Sequence, residues 1–224
     1  MIRRDYILRM IQEFAEVLSR IQSLKKEKCW REARATVDGQ FQQLLGVEPK
    51  TAARLSVTEL LAQIIRGEPT LAVREKTLML CALLKEAGDV ATAGNSLEEG
   101  RSYYLKGLEL LLDASASEDL VDWPEFVPSV EIFCQALADV PLPLPTQARL
   151  MQHYELIGDF AKAEDVLFTM LEVEPANSGL LELGISFYQR LRSQSDSKLV
   201  AGNLPRSEVE NGFAELRRRK AAGS

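Results

Sequence analysis

The stretch "GDFAKAEDVLFTMLEVEP", residues 158–175, is the part of the chain whose reading decides the fold. Gly158-Asp159 punctuates a turn, Phe160 follows as a bulky plug, Ala163 is small, and Pro175 closes the run. Between them Leu167, Met170 and Leu171 recur at helical spacing. Glycine makes a tight reversal inexpensive, and a small residue lets two helix axes approach closely. A pair of antiparallel helices built this way cannot bury its apolar face alone, so it must stack on neighbours.

Two other places share this grammar. "KEKCWREARATV" (26–37) sets Trp30 three before Ala33 and later reaches "GVEP" (46–49). "AGDVATA" (87–93) sets Val90 three before Ala93, so a break is expected there between a helix from Thr70 to about Ala87 and one resuming near Ser96. Further apolar stripes predict helices over 2–27 (Ile7, Ile11, Phe14, Leu18, Ile21), 29–45, 124–140, 146–157, 160–173, 177–192 and 206–220. Ser56 with Glu59 three residues on predicts a capped helix that "RGEP" (66–69) stops. "ASASED" (114–119) and "SQSDSKLVAGN" (193–203) read as polar loops, and Pro128 moves or kinks the helix around it. No segment alternates at period two. The expectation is an all-α chain of nine or ten helices, arranged as stacked antiparallel hairpins. Its division is an N-terminal helical domain (1–140) with a long leader helix, a pair of repeats (141–195) after the stiff "PLPLP", and a flexible C-terminal segment (196–224) with a short helix and a basic tail.

Residues 147–177 resemble the tetratricopeptide repeat, with Tyr154 at its first-helix aromatic, Gly158-Asp159 at the turn, Ala163 at the small position and Pro175 at the closing proline. Leu183, Gly184 and Phe187 sit where a next repeat has leucine, glycine and an aromatic. Met151, Leu167 and Met170 depart from the pattern, and "SDSKLVAGN" (195–203) stands where a second helix belongs. The resemblance implies a scaffold that docks a protein on the first helices of its hairpins. The candidate residues are Gln152, Glu155, Leu181, Ile185, Tyr188 and Gln189. Relatives that clamp a peptide carboxylate use Lys, Arg and Asn, whereas Ala148, Gln152 and Glu182 occupy comparable positions here, so that activity is not implied. The opening "DYILRMIQEFAEVLSRI" (5–21) also resembles an uncharacterised bacterial family, which implies a bacterial cytoplasmic protein and no activity.

Composition narrows the classes. The net charge is −6 and the hydrophobic content 46% over 224 residues, ordinary for a folded chain. Residues 1–34 carry nine Lys/Arg against five Asp/Glu, whereas 35–203 carry thirteen against twenty-five. An acidic body argues against nucleic acid, which needs a basic surface to displace counterions. The run Arg217-Arg218-Arg219-Lys220 reads as a solvated tail. No segment is apolar enough to span a membrane or to form a secretory leader. Cys29, Cys81 and Cys134 are odd in number and set among apolar neighbours, as reduced core thiols are.

Signatures of catalysis are missing: there is no phosphate-binding glycine loop, no His-Glu-x-x-His and no Gly-x-Ser-x-Gly. His153 is the only histidine and has no local ligand or triad spacing. The expectation is therefore a non-enzymatic interaction scaffold without cofactor or metal, binding a protein partner or itself, with self-association through the 2–27 helix. The alternative is a small-ligand or sensor domain whose apolar pocket is lined by Leu78–Leu84, Tyr103–Leu112 and Phe126–Phe133.

Overall fold

Twelve helices succeed one another among the described residues, without a strand. A computed structural model of the chain describes residues 2–66, 70–116 and 123–222, the side chains of 2–4, 70 and 71 aside. The fold is all-α, and it divides into two compact units, Met1–Pro141 and Leu142–Ser224. The helix count exceeds the nine or ten expected because α3 (Pro49–Arg54) and α11 (Asp196–Ala201) are six residues each. Fewer than two turns leave no periodicity for a sequence to display. The stop expected at 66–69 and the polar stretch 114–119 fall partly outside the described residues; 114–116 are helical.

In the first unit the central hairpin pairs α5 (Thr70–Ala93) with α6 (Leu97–Ala116). Helices α1 (Ile2–Lys26), α2 (Trp30–Leu45) and α4 (Val57–Ile65) pack on α5, and α7 (Val130–Ala136) packs on α6. From Leu78 to Leu84 every side chain of α5 is buried, so these two turns are apolar all round and sit at the centre of the unit. The break expected at "AGDVATA" is absent. Helix α5 runs straight through Gly88-Asp89, and the chain reverses at Gly94-Asn95, where Asn95 takes φ +61°. Gly88 serves packing instead: a Cβ there would overlap the Tyr104 ring of α6. The capping box at Ser56 forms, with Glu59 N–H donating to Ser56 Oγ at 3.2 Å and Ser56 N–H to Glu59 Oε2 at 2.7 Å. Helix α7 starts only after Pro128, at Val130.

The second unit begins with α8 (Leu144–Ile157) and α9 (Phe160–Val173), an antiparallel hairpin. Helix α8 starts inside the proline run, with Pro145 in its first turn, where a missing N–H leaves nothing unsatisfied. Tyr154, Phe160, Ala163, Leu167 and Met170 form the buried seam. Helix α10 (Ser178–Arg192) follows, and residues 193–222 then form α11 and α12 (Arg206–Ala222). Ser195 caps α11, accepting from Lys198 N–H at 3.3 Å. Helix α12 lies antiparallel along α10: Arg192 pairs with Glu210 at 2.9 Å, Tyr188 lies over Gly212, Leu216 over Gly184, and Lys220 pairs with Glu182 at 3.0 Å. The partner helix of α10 thus comes after a short inserted one.

Gly158 has φ +83° and nothing within 4 Å of a built Cβ. Its requirement is backbone conformation alone. Gly158→Ala is expected to cost about 1 kcal/mol, the usual penalty of an L-residue in the left-handed region, and Gly158→Asn less. Urea unfolding of both variants checks this.

Candidate docking surfaces

The six residues singled out from the sequence separate into three kinds of position. Leu181 and Tyr188 are core, at 4% and 0% exposure. The Tyr188 hydroxyl donates to the Glu164 carboxylate of α9, and its ring sits against Gly212 of α12. Burial pushes the Glu164 carboxyl above its ordinary value, the Tyr188 hydrogen bond opposes, and Glu208 adds to the rise. Glu155 is held by Arg190, which donates from Nε at 2.6 Å and from Nη2 at 2.8 Å, a bidentate clasp between α8 and α10. Gln152 and Gln189 are exposed, and Ile185 is half-buried.

Ile185 and Gln189 share a concavity. With Phe213, Arg217, Lys220 and Ala221 of α12 they line an open groove of about 510 Å³. Two guanidinium groups approach the Phe213 ring, Arg192 at 4.8 Å and Arg217 at 5.8 Å from its centre. Lys220 is engaged by Glu182, whereas Arg217 has no carboxylate within ion-pair distance among the described residues. The groove therefore offers an apolar floor, an aromatic and a cation with no carboxylate partner among the described residues. The sequence did signal this in part: Phe213 and Arg217 stand one helical turn apart, on a different face from Val209 and Leu216.

The first unit carries a cleft of about 390 Å³ where α1, α2 and α5 meet, floored by Met10, Phe14, Val17 and Met79. Arg9, Glu13, Gln40 and Gln43 rim it. The leader helix buries Phe14, Leu18 and Ile21, and leaves Tyr6 48% and Leu8 56% exposed. The stripe ends on a charge. Lys25 turns inward and donates to Glu86 Oε2 at 2.6 Å and to the Asp89 carboxylate. Lys85 reaches the same two carboxylates at 3.1 and 2.9 Å, and the Tyr104 hydroxyl donates to Asp89 at 2.8 Å. A second knot joins Glu99 to Arg34 and Lys50, with the Tyr103 hydroxyl donating to Glu99 at 2.9 Å. Burial pushes both tyrosine hydroxyls well above their ordinary range. These clusters tie α1 to α5, α5 to α6, and α2 and α3 to α6.

Along Leu78–Leu84, Tyr103–Leu112 and Phe126–Phe133, where a pocket was expected, most of the apolar side chains of α5 and α6 are buried, whereas Ile132 is 41% exposed. Phe133 is fully buried over Gly107, and Phe126 packs edge-on to Phe14 at 5.4 Å. His153 lies beside Tyr154 on α8, ring centres 5.8 Å apart. No disulfide joins Cys29, Cys81 or Cys134, and burial pushes the Cys81 thiol far up. Among the described residues no group of three His, Cys, Asp or Glu is placed to hold a metal ion, and no helix is long and apolar enough to cross a membrane.

A model of the "Family of unknown function (DUF6483)" matches residues 1–221. The chain belongs to that family. The DUF6483 match runs through both compact units, so the leader helix, the α5–α6 hairpin and the α10–α12 groove all fall inside it. No curated protein and no solved structure matches.

Proposed function

We propose that this DUF6483 chain is a non-enzymatic interaction module that docks a segment of a partner protein in the groove between α10 and α12. The single observation that carries this reading is the composition of that groove: Ile185 and Phe213 as apolar floor, with the Arg217 guanidinium over the Phe213 ring and without a carboxylate partner among the described residues. An apolar strip flanked by a cation suits a peptide that presents an apolar side chain and, one turn away, a carboxylate. Arg and aromatic residues are the types over-represented among energetic anchors of interfaces.

The second unit supports a tetratricopeptide-like reading of the architecture. Gly158 makes the left-handed turn, Tyr154 and Phe160 close the top of the hairpin, Ala163 is fully buried where the axes approach, and Pro175 follows α9. On this reading α10 and α12 form a second hairpin with α11 inserted in its connection. The groove then lies on α10, a first helix, as docking faces of such scaffolds do.

The test is affinity capture from the native host with mass spectrometry, comparing wild type with Arg217→Glu and Ile185→Asp. A partner retained by wild type and weakened about tenfold in both variants, equivalent to about 1.4 kcal/mol, supports the groove. Equal recovery with all three proteins rules it out.

A further inference from the structure

The outer face of α1 carries a charge pattern that its own unit leaves unused. Asp5, Arg9, Glu16 and Arg20 are exposed and lie within about 60° of one another around the helix. None of the four has an ion-pair partner among the described residues. Their order along the helix is acid, base, acid, base. Turned end for end, the same face presents base, acid, base, acid. The pattern is therefore complementary to itself in the antiparallel sense, which is the condition for a two-fold contact between identical surfaces.

We propose that a second copy of this chain covers that face, with the two leader helices crossing antiparallel about an axis between Gln12 and Glu13. In that register Asp5 faces Arg20 of the other copy and Arg9 faces Glu16, so one contact forms four opposite-charge pairs. Leu8, 56% exposed, flanks this face on the side away from the cleft. The paired span, residues 5–20, is about 24 Å of helix. Rim charges of this kind fix register and speed encounter, and salt screens them. The opposite choice, a parallel pair, would put like charges together at every one of these positions. Parallel association is thus disfavoured by the same residues.

This inference rests on the interaction-module reading only for its class, and it uses a different unit from the α10–α12 groove. The experiment is light scattering of the full chain with two charge-reversed variants, Arg9→Glu/Arg20→Glu and Asp5→Arg/Glu16→Arg. Wild type at low salt is expected at about 50 kDa, twice the 25.0 kDa of the chain, and is expected to shift toward the single-chain mass in about 0.5 M salt. Each variant alone is expected at 25.0 kDa, and an equimolar mixture of the two at twice that mass. Recovery in the mixture shows that both variants fold, because the restored contact needs two intact helices. Wild type remaining at the single-chain mass, variants that dimerise alone, or a mixture that stays at the single-chain mass would each overturn the proposal. The substitutions leave Ile185, Phe213 and Arg217 untouched, so partner capture by the groove can persist where self-association fails, and the reverse.

Discussion

Phe133→Ala is expected to lower the unfolding free energy by about 3–5 kcal/mol, the range for deleting a buried aromatic ring. The ring is fully buried and is one of the largest side chains enclosed in the first unit. It is also the reason for a glycine on the neighbouring helix. A Cβ at Gly107 would stand 2.5 Å from Phe133 Cε1 and 3.4 Å from Leu84 Cβ. Gly107→Ala alone should therefore overpack the contact and cost about 1–3 kcal/mol. In the Phe133→Ala background the same methyl enters a cavity, so its cost should shrink or reverse. The two substitutions should depart from additivity by at least about 0.5 kcal/mol, in the favourable direction. Urea unfolding of the two single variants and the double completes the cycle. Additive costs would mean that the ring does not fill the space above Gly107.

That pair explains much of what the sequence did and did not disclose. Local devices were legible because their parts lie within one turn: Ser56 with Glu59, and Gly158-Asp159 before Phe160 and Ala163. The helical period of α1 was legible for the same reason. Glycine is ambiguous, however. Gly158 is a turn residue at positive φ, whereas Gly88, also followed by aspartate, lies in mid-helix and makes room for Tyr104 fifteen or more residues away. Nothing near Gly88 in the sequence distinguishes the two uses, so a turn was expected where α5 continues.

Long-range cover was equally hidden. Leu181 and Tyr188 read as groove residues because the helix that buries Tyr188 begins eighteen residues after it, beyond an inserted helix too short to show a period. Ile185 and Gln189 lie on the same helix and remain accessible, so one of the two helices that line the groove was among the candidates, with Phe213 and Arg217 of α12 unforeseen. The inward turn of Lys25 was not legible at all. It falls at the end of the apolar stripe, where the sequence suggests only a basic last turn.

Lys25→Met is expected to destabilise the first unit by about 3 kcal/mol, at the lower end of what breaking a buried ion pair costs. Glu86 is 4% exposed at its side chain and Asp89 25%, so removing one of two cations leaves a net negative charge in a site that water barely reaches. Lys85 remains bonded to both carboxylates, which is why the loss is not larger. The double variant Lys25→Met/Glu86→Leu removes one charge of each sign and leaves the Lys85–Asp89 pair, so it should recover most of the loss. The pH dependence separates this from lost packing. Burial pulls the Asp89 carboxyl upward, but the hydrogen bonds and charges of Lys25 and Lys85 outweigh it, and the group ends below its ordinary value. Asp89 therefore contributes stability that is present above the unfolded-chain value of about 3.9 and is lost as pH falls through its lower folded value. Lys85 runs the other way: burial opposes its charge, yet Asp89 and Glu86 hold its ammonium above the ordinary range. Its contribution is complete below about 10.4 and is lost as pH rises through the folded value. Chemical unfolding across both ranges should give a plateau between them for wild type. Lys25→Met should show a shallower acid limb, because Asp89 then has one cation fewer to lose. An acid limb unchanged by Lys25→Met would place the acid sensitivity elsewhere in the chain.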